Sequence, residues 1–330
     1  MSIKTPIILA NFGGPRDLHE VEPFLIELLT DEDVIRTNLP TCIDKWLFHY
    51  IAKRRAKKVT HDYAAIGGKS PIFEDTEKLS SLLAQKTGRE VIPFHRYIPL
   101  THPEFLQKIL KTKTNSFTIL PLYPQQSYST TGSIARFFAK HLPPSLVQNL
   151  KWISSYKNHE SYIKAMQTVI QESLEKFGLQ EEDTFFLFSA HGLPQKFVRE
   201  GDPYEKECYA SYQGIMKGFI APSLLAFQSK FGRGKWLFPY TSLLCQEPRK
   251  WNLGKPHVLM IPLSFTSDHL ETLFEIEQGY IPLLQKNGVK AYRCPSLNHH
   301  PLWIEALSDI AQEKTVCSNE SLIRKKSNYF

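Results

Sequence analysis

The sequence predicts an α/β protein of two similar domains, each a parallel sheet flanked by helices, with a cleft between them. Three observations carry this. At 330 residues the chain exceeds what one ordinary core accommodates. Short apolar runs at 6–10, 117–120, 152–155, 184–188, 236–239, 258–263 and 289–292 alternate with helical patterns, as in βαβ units around a parallel sheet. Segments of the first half also recur, in order, in the second.

The recurrences run as follows along the chain. IILANFGGP from Ile7 resembles FLFSAHGLP from Phe186: an apolar strand, a ring side chain, Gly, then Pro. FTILPLYPQQSYSTTGS from Phe117 resembles VLMIPLSFTSDHLET from Val258: an apolar strand, Pro-Leu, an irregular turn, then a helix start. PFHRYIPLT from Pro93 resembles WLFPYTSLL from Trp236 more weakly. A duplicated domain with extra residues in the first copy accounts for all three, chance likeness of short apolar strands being the alternative. The Pro143-Pro144 break puts the boundary near 145–155, giving a first domain at 1–150, a second at 151–315 and a tail at 316–330.

The extra residues lie around 20–60. Val34, Ile35 and the aromatic stretch 46–51 are followed directly by the basic run 53–58. An apolar lip with a basic flank suits an anionic membrane surface or an apolar ligand. A core helix with a solvated basic face is the competing reading. With 42% hydrophobic and 22% charged residues the chain is globular rather than disordered. Its five cysteines form no C-x-x-C pair, which argues against a disulfide framework and a cysteine zinc site and fits a reducing cytoplasm. The N-terminal stretch reads as a first strand rather than a signal peptide, and no run reaches the ~20 apolar residues of a membrane span. The net charge of +7 suits anionic small molecules as well as anionic surfaces. No nucleic-acid module is recognisable, so no nucleic-acid partner is expected.

Two stretches carry chemistry. His191 follows an apolar strand and precedes Gly192, a position suited to proton transfer or metal contact. After the apolar run 258–263 a helix is expected from about Asp268, placing Asp268, Glu271 and Glu275 at i, i+3 and i+7 along one face, with His269 beside them. Asp268 and Glu271 also resemble a capping box, a reading that leaves Glu275 and His269 unexplained. In a doubly wound fold His191 and this turn occupy corresponding strand ends of one half. In the first half Phe12 stands in place of the histidine and Thr130, Thr131 and Gly132 in place of the acids.

From about residue 5 to 310 the chain resembles the ferrochelatases, enzymes that insert Fe(II) into a porphyrin. The resemblance is carried by NFGGP from Asn11, YAAIGGKSPI from Tyr63, HRYIPLT from His95, LPLYPQQSYSTTGS from Leu120, FSAHGLP from Phe188 and PLSFTSDHLETLFEI from Pro262. It implies Rossmann-like, chelatase-type domains and a cytoplasmic or membrane-peripheral enzyme that makes protohaem from protoporphyrin IX. It also implies that His191 and Glu271 meet the metal or the pyrrole protons, with Asp268, His269 and Glu275 as the supporting catalytic residues. Phe12, Tyr63, Ser70, Arg96, Tyr97, Trp236 and Phe265 match positions lining the macrocycle pocket, and residues 34–58 match a lip that in some members rests on the membrane. Basic residues of the rim, Arg96 and the run 53–58 among them, are expected to meet the propionates.

Departures from the family pattern matter too. Tyr128 and a lone Cys317 stand where some members ligate an iron–sulfur cluster, so no cluster and no prosthetic group is expected, Fe(II) being a substrate. Phe12, where coproporphyrin users often have tyrosine, favours protoporphyrin. The alternatives are a chelatase for coproporphyrin III or another metal, and a porphyrin or haem carrier without catalysis.

Overall fold

A computed structural model describes residues 4–36, 40–232, 234–313 and 316–325. It divides into two units, the first comprising the described residues up to Ser155 together with those from Leu307 on, the second running from Tyr156 to Ala306. The sequence reading ended the second domain at 315 and left 316–330 as a tail. Instead the chain returns to the first unit at Leu307, and residues 326–330 fall outside the described residues.

In the first unit β1 (Ile7–Asn11), β2 (Val91–His95), β3 (Phe117–Pro121) and β4 (Leu150–Trp152) form a parallel sheet in the order β2-β1-β3-β4. β1 is buried throughout, as expected of a parallel strand covered on both faces. The crossover from β1 to β2 holds the helices Val21–Leu29, Thr41–Ala65 and Ile72–Thr87, of which the first two fall in the extra residues of this half. Phe94, Phe105, Phe138 and Trp152 fill a core that also takes in Leu322 from the C-terminal segment. Cys317 bridges the edge strand at Trp152, and Asn319 Nδ2 donates to the Ala135 carbonyl at 2.9 Å. Arg89 adds a further tie, donating to the carbonyls of Thr5 and Ala311 and to Thr118 Oγ1. The tail thus covers an otherwise open sheet edge.

The second unit repeats this plan with β5 (Thr184–His191), β6 (Ser223–Gln228), β7 (His257–Pro262) and β8 (Lys290–Arg293) in the order β6-β5-β7-β8. The likeness extends to single residues. Ala10 faces Pro121 across β1 and β3, and Ser189 faces Pro262 across β5 and β7, the positions that the repeated segments align. In both units a π-helical segment follows the third-numbered strand of the plan, at Tyr128–Gly132 and at Glu271–Tyr280.

Two expectations need correcting. The run 236–239 is not a strand; Trp236 makes only an isolated bridge to Pro194 in a loop. The outer strand beside β5 is β6, and its register pairs Ala190 with Phe227 as Asn11 pairs with His95. The counterpart of Arg96 is therefore Gln228, not a residue of the segment from Trp236. A four-residue aromatic run resembles a strand locally, and only pairing distinguishes it from one.

Leu322 is 1% exposed within the first unit's core. Leu322→Ala is expected to lower the urea stability of the first unit by about 2–5 kcal/mol, the cost of such a cavity; a variant as stable as the wild type would show the tail to be merely draped on the surface.

Candidate active site

In each sheet the chain leaves the inner pair of strands in opposite directions, so a crevice opens outside the carboxyl ends of that pair. In the second unit these ends are His191, the last residue of β5, and the segment after Pro262 on β7. Ser189 pairs with Pro262, which brings the two ends level.

His191 is held at three atoms. Its backbone N–H donates to Ser264 Oγ at 2.9 Å, and its carbonyl accepts from the Tyr204 hydroxyl at 2.9 Å. Its ring Nδ1 lies 2.7 Å from the Gly192 carbonyl oxygen. A carbonyl only accepts, so Nδ1 carries the proton and Nε2 keeps its lone pair in the neutral ring. Gly192 is required by packing: a Cβ there would lie 2.7 Å from the Gln228 carbonyl oxygen and 3.2 Å from the Trp236 ring. Trp236, expected in the pocket lining, thus sits one residue from the histidine and is buried. Phe265 lies beside both histidines, its centroid 6.3 Å from that of His191 and 4.4 Å from that of His269.

The row of acids separates into two kinds. Asp268 does not cap the helix. Its carboxylate accepts from Arg293 at 2.7 Å, Asn298 Nδ2 at 3.0 Å, Thr272 Oγ1 at 3.0 Å and the Ser296 N–H at 3.3 Å. Burial pushes its pKa up, yet Arg293, Asn298 and Thr272 outweigh burial and hold it below the ordinary carboxylate range. Glu275 is committed in the same way, accepting from Gln228 Nε2 at 2.9 Å, the Ser229 N–H at 3.1 Å, the Ser229 hydroxyl and the Tyr280 hydroxyl at 2.7 Å.

Glu271 differs. Its carboxylate pairs with His269 Nε2 at 2.9 Å and its side chain keeps 29% exposure. Burial raises its pKa, but His269 and, at longer range, His191 together lower it to about 2. It is an anion under all ordinary conditions and a weak base. His269 Nδ1 is buried without a partner among the described residues.

The π-helix brings Glu271 and Glu275 close to one turn apart, a spacing that the α-helical reading put across a turn and a bit. Here π-helical backbone marks the segment that bears the polar chemistry.

In the first unit Phe12 packs edge-on against Tyr97 at 4.5 Å and Phe24 at 5.8 Å. Tyr63 is buried near the end of its helix, and the buried Ser70 donates its N–H to the Pro15 carbonyl at 2.8 Å. Arg96 is not a rim residue. It is buried, with Nε donating to Ser133 Oγ at 2.9 Å, Nη1 to Glu27 at 2.7 Å and Nη2 to Asp31 at 2.8 Å; Tyr97 donates to the same Asp31 at 3.0 Å. A guanidinium inside a protein needs such partners, and here Ser133, Glu27 and Asp31 supply them.

Sequence reasoning missed the residues that do the holding: Tyr204, Gln228, Ser229, Ser264, Arg293 and Asn298. Gln228 alone left a readable trace, since it ends the apolar run Leu224–Phe227 as His191 ends its own. Among the described residues no three His, Cys, Asp or Glu side chains form a metal cage.

Comparisons with known proteins bear on the family and the fold. A family model described as ferrochelatase matches residues 4–315. A ferrochelatase of Chlamydia pneumoniae is 43% identical over 318 residues, covering 96% of this chain and 95% of the relative. Among solved structures, CbiX, the terminal enzyme for siroheme biosynthesis in denitrifying bacteria, superposes with a TM-score of 0.52 at 14% identity, covering 93% of this chain and 97% of that one. SirB from Bacillus subtilis with Fe3+ gives 0.51 at 14% identity, covering 94% and 95%. The structural likenesses show the fold, and the family model together with the close relative shows more: this chain belongs to the ferrochelatase family.

Proposed function

We propose that the chain inserts Fe(II) into protoporphyrin IX to form protohaem, with His191 and Glu271 at the metal and His269 as the partner of Glu271. As a ferrochelatase-family member it is a metal chelatase that places a metal ion in a porphyrin. The observation that carries the assignment of residues is the sorting of the acid row. Asp268 and Glu275 accept three or more hydrogen bonds each, while the Glu271 carboxylate is paired with His269 and keeps access to solvent.

Metallation removes two pyrrole protons and strips water from the entering ion. The Nε2 lone pair of His191 accepts a pyrrole proton or binds the ion, and the fixed Nδ1 proton leaves no other role for that edge of the ring. Glu271, ionised down to about pH 2, supplies charge to a dication rather than a sink for protons. Two mixed N and O donors suit Fe(II), which must leave again. Phe265 and Trp236 offer flat apolar surface for the macrocycle, and Phe12, Tyr63, Ser70 and Tyr97 join them on the strength of the family resemblance. Arg96 contributes through the Asp31 network. No iron–sulfur cluster belongs to this proposal, since Tyr128 and a lone Cys317 stand at the positions that ligate one in some family members.

The proposal extends to the lip. Helix Thr41–Ala65 buries Ala52, Ala56 and Tyr63, whereas Ile43, Trp46 and Tyr50 are 48%, 71% and 51% exposed at successive turns. That exposure speaks against the core-helix reading, and the adjacent Lys53, Arg54, Lys57 and Lys58 fit an anionic lipid surface. Among the described residues no helix is long and apolar enough to cross a membrane.

Three outcomes test the reading. Mixed anaerobically with Fe(II) and protoporphyrin, the wild type metallates the ring, while His191→Ala and Glu271→Gln lose at least about a hundredfold in rate and still bind porphyrin; both variants running at full speed would sink the assignment, and a wild type that binds without metallating would favour the carrier. Glu271 has a depressed pKa, so its stabilising pairing is complete above about pH 4.5 and fades as pH falls toward about 2. The urea midpoint of the apo wild type should therefore drop more between pH 5 and 3 than that of Glu271→Gln, and equal drops would contradict the pairing. Trp46→Ala with Tyr50→Ala should abolish co-sedimentation with phosphatidylserine vesicles; undiminished binding would remove the lip from the proposal.

A further inference from the structure

Gln228 is 2% exposed and uses every polar atom of its side chain. Oε1 accepts from Ser189 Oγ at 2.7 Å, and Ser189 in turn lies 2.9 Å from Thr241 Oγ1. Nε2 donates to the Glu271 carbonyl oxygen at 3.0 Å and to Glu275 Oε2 at 2.9 Å. Its backbone is the register partner of His191, and its carbonyl accepts from the Gly192 N–H at 2.8 Å. One residue therefore holds the strand end that carries His191 and the first residue of the π-helix that carries Glu271.

The repeat supplies an independent argument. The counterpart of Gln228 in the first sheet is Arg96, whose backbone N–H bonds Asn11 as the Gln228 carbonyl bonds Gly192. Arg96 likewise ties its strand end to neighbouring elements through all three guanidinium nitrogens, to Ser133 on the helix that follows the first π-helical turn and to Glu27 and Asp31. The same place in both sheets is given to a buried side chain that binds strand end to following helix. In the second unit the residues so bound include the two proposed to act at the metal.

We propose that Gln228 is a positioning residue for metallation, setting the orientation of Glu271 against His191 through the Glu271 carbonyl and the Glu275 carboxylate. The proposal rests on the reading of Glu271 as a metal-facing carboxylate. A group that orients a ligand from behind costs typically 10–100-fold in activity when removed. Because it acts through Glu271, its loss should add nothing once Glu271 is disabled.

The test uses the purified full chain with Fe(II) and protoporphyrin under anaerobic conditions, with porphyrin affinity followed by fluorescence titration. Gln228→Met fills the same space without the amide. It is expected to lose about 10–100-fold in kcat with the porphyrin Kd held within about twofold. The double variant with Glu271→Gln is expected to be no slower than Glu271→Gln alone. Should Gln228→Met prove unfolded by circular dichroism, Gln228→Asn, whose shorter amide falls short of Glu271, carries the same expectations. A full-speed Gln228 variant beside a slow Glu271→Gln overturns the proposal alone, as does a double variant whose loss is the product of the two. A Glu271→Gln enzyme at wild-type speed overturns the reading of Glu271 and the proposal with it.

Discussion

Everything in the second unit depends on the parallel pairing of β5 with β7. With Ser189 set against Pro262, the two strands end level, and the residues beyond them, His191 on one and the segment from Ser264 on the other, leave the sheet at the same height. A register slip of one residue would turn His191 to the other face of the sheet. Such a slip is disfavoured by the strands themselves, since β5 and β7 are buried almost end to end and their side chains have no solvent-facing alternative. The pairing is held by core packing, and the polar chemistry is placed at its edge.

Around that edge the polar groups divide their work by how many bonds they already make. A buried carboxylate that accepts three or four hydrogen bonds is a structural anchor, because losing any one bond leaves an unsatisfied charge. Asp268 anchors the turn to Arg293 and Asn298, and Glu275 anchors the π-helix to the end of β6. Glu271, between them, pairs its carboxylate with His269 and keeps it partly exposed. The rare π-helical backbone fits this division, since its wider turn lets the side chains before and after Glu271 point into different hydrogen-bond networks.

Much of this was legible in the residues. The repeated segments at Ile7 and Phe186, and at Phe117 and Val258, coincide with paired strands in matching register. His191 and the acids after β7 were readable as strand-end polar residues. What local pattern could not provide was the identity of the outer strand of the second sheet. The run 223–228 and the run 236–239 are both short and apolar, and the choice between them was made by pairing with β5. The same limit explains Arg96. A basic residue beside a predicted pocket reads as a ligand for propionates, and nothing in its neighbours shows that Asp31 and Glu27, some 65 and 69 residues away, will claim it.

By itself the sequence determined the α/β class, the duplication, the strand ends that would bear the chemistry and, through its motifs, the family. These are properties of composition and order along the chain, and they follow from short-range rules on strand burial, turn residues and helix spacing. Tertiary structure alone decided which acids are taken up in holding backbone, which arginine is buried, which strand lies at the edge and where the C-terminal segment rests. Those outcomes turn on hydrogen bonds between residues far apart in the chain, where a donor is taken or left available only after the fold has brought its competitors within reach.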